Sequence, residues 1–168
     1  VKGKLKVYHA REYIVMTNDP AFDKQIESLI QFKGFGGNKP LPGSTDSADR
    51  FTRGAYYQKN LPKPNNIRET IAGVISVARN IAQPFGSPDQ DRPNISSTRW
   101  RTVSDLTNGV YFFESTTSPN IIWVFLRKLK FEKGSPVKKL DLVNEPDRIG
   151  DVSAEFQDSQ PFEWLRPI

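Results

Sequence analysis

One change of hydrophobic period divides this chain. From Phe22 to Ile81 apolar residues recur at three- and four-residue intervals, as on a helix face, whereas from Thr98 to Leu126 they alternate, as on a half-buried strand. Between them lies Pro84 to Pro93, a polar stretch rich in Pro, Gly and Asp that reads as a surface loop long enough to border a binding site. Helical segments followed by a run of strands point to an α+β architecture, an antiparallel sheet with helices packed on it.

Local signals fill in that outline. Leu5 and Val7 alternate with lysines and Tyr13 to Met16 is a compact apolar run, so two short strands joined near His9 and Ala10 are expected before the first helix. Asp19 suits an N-cap and Pro20 a first helical residue, with Phe22, Ile26, Leu29 and Ile30 sharing a face before Gly34. Gly34-Phe35-Gly36-Gly37 through Pro42-Gly43 has neither the Walker spacing nor a dinucleotide fingerprint, and is expected to be a tight surface turn rather than a phosphate cradle. Asp46 or Ser47 caps a second helix carrying Arg50, Phe51, Ala55 and Tyr56, which ends at Leu61-Pro62-Lys63-Pro64. Asn66 and Glu69 stand at capping-box spacing ahead of the stripe Ile67, Ile71, Val74, Ile75, Ala78 and Ile81. A three-stranded meander follows over Thr98 to Leu106, Val110 to Ser115 and Ile121 to Leu126, turning at Asn108-Gly109 and Ser118-Pro119-Asn120, with a further short strand around Lys139 to Leu142. From Asn144 the sequence reads as a polar tail crossing the surface, with Phe162 and Trp164 as an aromatic anchor.

Composition removes several classes of function. Phe 11, Tyr 5 and Trp 3 among 168 residues supply a core and exclude a disordered chain. No apolar stretch approaches the roughly 20 residues that span a bilayer, and no signal-peptide core follows Val1-Lys2-Gly3-Lys4. With no cysteine and a single histidine, His9, neither a disulfide nor a thiolate or histidine metal cluster can form, so no metal and no cofactor are expected. The net charge of +5 comes from basic residues interleaved with 19 acids. Only Arg127, Lys128, Lys130, Lys133, Lys138 and Lys139 crowd together, and they read as a solvated edge that discourages strand-to-strand association, so nucleic acid is not expected as a partner.

Three landmarks carry chemistry: Thr17-Asn18-Asp19-Pro20 after an apolar run, then Leu41-Pro42-Gly43, then Asp49-Arg50-Phe51-Thr52-Arg53. Hydrolysis of an amide needs a nucleophile, a base, and donors placed where the tetrahedral oxyanion forms. Asn18 offers a neutral amide donor, or else ends a strand and caps a turn; Arg50 offers a cation, or else a surface salt-bridge partner. In this order the landmarks resemble the second half of the choloylglycine hydrolase family, which includes bile salt hydrolases and penicillin V acylases. These are N-terminal nucleophile hydrolases that cut linear amide bonds with the thiol of an amino-terminal cysteine. The resemblance runs from Tyr8 to Leu142 and takes in the strand pair Thr98 to Asn108 and Val110 to Phe113.

By that resemblance Asn18 holds the oxyanion, and Arg50 lies close to the catalytic cysteine, lowering its thiol pKa or holding substrate. Arg53, one turn on, is expected to be structural. Residues 1–168 would form the carboxy-terminal portion of a single four-layer αββα domain, ending in the polar tail 144–168. Val1 offers an amine without a nucleophile. The cysteine, and the Arg and Asp close behind it, would then belong to a missing amino-terminal half, and the chain alone is expected to be inactive. The implied substrate is a small acyl-amide such as a conjugated bile acid, penicillin V or an N-acyl signal. Two alternatives stand beside this: a remnant that binds acyl ligands without cutting them, and a basic nucleic-acid-binding module. A homo-oligomer remains open, and bacterial periplasm and cytoplasm are both compatible.

Overall fold

The structure, a computed structural model, describes residues 3–4, 7, 14–84 and 97–164. It divides into two compact units, Val1–Gln83 and Pro84–Ile168. The first carries helices and the second the sheets, so the chain is α+β.

In the first unit the helices are α1 (Phe22–Leu29), α2 (Ser47–Lys59) and α3 (Ile67–Asn80). The two strands expected near the start lie mostly outside the described residues, and residues 14–17 are not in a strand. Helix α1 starts later than Asp19 and Pro20 suggest, with Ala21 at its N-cap. Asp19 is engaged in a tertiary bond, its N–H donating to Ser47 Oγ at 3.0 Å. Its buried face also differs from the apolar stripe of the sequence. Gln25 and Leu29 are the buried residues, while Ile26 and Ile30 are exposed. Burying a primary amide is tolerated because its hydrogen bonds are made: Gln25 Nε2 donates to the Pro20 carbonyl at 2.5 Å.

Leu29, Phe51 and Ala55 form the core of this unit, with Val15, Phe22 and Phe35 against it. Phe51 and Phe22 meet edge to face at 5.8 Å, the arrangement favoured by ring quadrupoles. The glycine-rich segment after α1 is a turn, as its composition suggests. At Gly34 φ is +91° and an added Cβ would lie 2.7 Å from Tyr56, so both conformation and space require glycine there. Helix α3 opens as its capping signal predicts: the Glu69 N–H donates to Asn66 Oδ1 at 2.9 Å, and the Asn65 N–H donates to Glu69 Oε2 at 2.8 Å. Asn66→Ala is expected to lower stability by about 1 kcal/mol, read as a shift in the urea midpoint, and an unchanged midpoint would show the cap to be idle.

In the second unit β1 (Trp100–Asp105), β2 (Val110–Ser115) and β3 (Ile121–Phe125) form the expected antiparallel meander. The β1–β2 turn has Gly109 at φ +63°, and Asp105 accepts from the backbone of Thr107 and Asn108. Arg101 and Glu114 are direct cross-strand partners joined by an ion pair of 2.8 Å, while Trp100, on the opposite face, is exposed. Strand alternation therefore accounts for the interleaved arginines and aromatics.

The sheet is mixed rather than wholly antiparallel. Strand β5 (Gly150–Asp151) lies parallel to β3, which a connection as long as that from Phe125 to Gly150 permits. The further strand is shorter and earlier than expected: β4 (Lys138–Lys139) pairs with β6 (Gln157–Asp158), while Leu140 and Leu142 pack against the core. That core is Ile122, Val124 and Val152, and Val152 is fully buried. The polar composition after Asn144 thus conceals two strands and a core residue. Arg148 explains part of this, since it is largely buried and bonds to Glu145, Glu155 and the Asp141 carbonyl, drawing the segment inward. Phe162 and Trp164 meet edge to face at 5.2 Å but are exposed, so they are no anchor among the described residues.

Candidate active site

The landmark Thr17-Asn18-Asp19 is fastened to the start of α2. Thr17 Oγ1 donates to the Ser47 carbonyl at 2.9 Å and lies 3.1 Å from Gln25 Oε1. With the bond from the Asp19 N–H to Ser47 Oγ, the residues on either side of Asn18 are both tied to Ser47. Ser47 and Arg50 are three apart on α2 and so neighbours on its surface. The fold therefore brings the backbone carrying Asn18 to the helix turn carrying Arg50. Asn18 is exposed, and its side chain makes no hydrogen bond among the described residues.

Arg50 is half-buried, and its Nε donates to the Thr45 carbonyl at 3.1 Å. That bond fixes the side chain close to its own helix turn and leaves the two terminal nitrogens of the guanidinium for an anion or a carbonyl. Arg53 works differently. Its Nη1 donates to the carbonyls of Pro42 (3.1 Å) and Ser44 (2.8 Å), clamping the loop that contains Leu41-Pro42-Gly43 onto α2. The three sequence landmarks therefore converge on one helix.

Two positioning residues escape the sequence reading. Ser47 was visible there only as a cap, and it accepts a tertiary bond instead. Gln25 is 1% exposed and holds the segment from below, contacting both Thr17 and the Pro20 carbonyl. A polar residue at three- and four-residue spacing from Phe22 and Leu29 was the available signal for it. His9 lies outside the described residues. Among the described residues no group of three or more His, Cys, Asp or Glu is placed to hold a metal ion, and no helix is long and apolar enough to cross a membrane.

Residues 1–141 match the family described as linear amide C-N hydrolases, choloylglycine hydrolase family. The chain belongs to the choloylglycine hydrolase family. It is 41% identical to a penicillin V acylase of Pectobacterium atrosepticum over 98% of this chain and 48% of that protein. It is 22% identical to a bile salt hydrolase/transferase of Lactiplantibacillus plantarum over 72% of this chain and 44% of that protein. Among solved structures, penicillin V acylase from Agrobacterium tumefaciens superposes with a TM-score of 0.86 at 42% identity, covering 98% of this chain and 53% of that one. A conjugated bile acid hydrolase from Clostridium perfringens shares the fold, with a TM-score of 0.52 at 20% identity over 74% of this chain and 47% of that one. The chain thus spans about half the length of the choloylglycine hydrolase relatives it matches.

Proposed function

We propose that these residues supply the oxyanion donor, Asn18, and the active-site cation, Arg50, of a cysteine-nucleophile hydrolase of linear amide bonds. The supporting observation is the double attachment of the Asn18 segment to Ser47, one turn ahead of Arg50. An oxyanion donor is effective only when its position is set before the charge develops, and two bonds flanking Asn18 restrict its backbone in that way. The amide of Asn18, with no partner of its own among the described residues, then faces no competing acceptor. The guanidinium of Arg50 would favour the thiolate over the thiol, or hold an anionic substrate.

The 168 residues contain no cysteine, so in this reading the thiol comes from a further stretch of polypeptide. The substrate would be an acyl-amide of the kind named in the relatives, penicillin V or a conjugated bile acid. The purified chain should therefore leave both compounds intact, and addition of a cysteine-bearing amino-terminal half from a penicillin V acylase relative should restore cleavage. Hydrolysis by the 168-residue chain alone, free of contaminating peptide, would refute the assignment. The absence of cysteine also favours a second reading, a homologue that binds acyl ligands without cutting them. The intact mass of native material separates the two, since a second polypeptide beginning with cysteine belongs only to the enzyme.

A further inference from the structure

Three of the crowded cations of the second unit, Lys128, Lys130 and Lys138, line a hollow of about 400 Å³. That size lies in the range of small-molecule sites. A 3-10 turn at Leu126–Lys128, strand β4 and strand β6 border it. Its apolar lining includes Leu129 and Phe156, which pack against the buried Ile122, Val124 and Val152. The three lysines share the lining with one carboxylate, Asp158, and with Ser135 and Ser153.

The charges do not cancel. Lys138 pairs with Asp158 at 3.3 Å, and Lys128 pairs with Asp151 at 2.5 Å, which places a second carboxylate beside the hollow. Lys130 makes no ion pair among the described residues. A solvated edge would explain the lysines alone. It would not explain why they enclose an apolar wall, a combination suited to a ligand with one greasy and one anionic end.

We propose that this hollow binds a small organic anion, its apolar body against Leu129 and Phe156 and its carboxylate or phosphate on Lys130 and Lys138. None of these residues belongs to the candidate amidase site, so the proposal stands apart from that reading.

The test is a titration of the 168-residue chain, followed by amide resonances, with phenyl phosphate, benzoate, inorganic phosphate and benzyl alcohol. Phenyl phosphate or benzoate should saturably shift Leu129, Lys130 and Phe156, and whichever binds more tightly identifies phosphate or carboxylate as the preferred anion. Lys130→Gln should weaken that binding about tenfold, the scale of one charge-assisted hydrogen bond. Lys63→Gln, which removes an exposed charge from the other unit, should leave it unchanged. Benzyl alcohol or inorganic phosphate binding as tightly as the aryl anions would overturn the proposal. So would shifts confined to other residues, undiminished binding by Lys130→Gln, or an equal loss in Lys63→Gln.

Discussion

Asn18→Ala, in an enzyme made whole with a cysteine-bearing half, is expected to lower kcat by about a hundred- to a thousandfold with a much smaller change in KM. The range is that for loss of one preorganised oxyanion donor, whose interaction exists mainly in the transition state. The competing account makes Asn18 a strand end or turn cap, in which case the same change would cost about 1 kcal/mol of stability and leave turnover near normal. The proposed oxyanion role requires the first outcome. Asn18 is exposed, its side chain caps nothing among the described residues, and the bonds that shape the segment come from Thr17 and Asp19. Measuring melting and turnover on the same variant decides between them, and normal kcat with a lowered melting temperature would refute the catalytic role.

Phe51→Ala is expected to destabilise the first unit by about 3–5 kcal/mol, because it empties the centre of a small core. Phe51 is 1% exposed and contacts Phe22 edge to face. All three tryptophans, Trp100, Trp123 and Trp164, lie in the second unit, so their fluorescence is a poor reporter of this change. Far-ultraviolet circular dichroism is the appropriate probe, since α1, α2 and α3 all belong to the first unit. A urea midpoint followed at helical wavelengths should fall sharply, and an unchanged midpoint would show that α1 and α2 do not depend on this contact.

The sequence disclosed elements wherever local chemistry decided the outcome. Alternation located β1, β2 and β3, Asn66 with Glu69 located the start of α3, and the order of three landmarks pointed to the family. It misled where distant partners prevailed. Asp19 looked like a helix cap, yet Ala21 holds that place and the Asp19 N–H bonds to Ser47, and Ile26 looked buried, yet Gln25, with partners for its amide, takes the inward position. The segment from Asn144 is similar. Its polarity suggested a tail, yet Arg148 and the single buried Val152 draw it into the second unit, and pairing of two-residue strands leaves no periodic signature to read. The convergence of landmarks on α2 was likewise hidden, because it depends on Arg53 and Ser47 reaching backbone carbonyls and an N–H far from them in sequence.

The two bonds that flank Asn18 both end on Ser47 of α2, while Gln25 of α1 holds the same segment at Thr17 and the Pro20 carbonyl. Mechanically this makes α1 and α2 together a chassis. If α1 and α2 shift together as neighbouring polypeptide packs against them, the segment travels with them, and so does the loop gripped by Arg53. A displacement shared by α1 and α2 then leaves the three landmarks in step with one another.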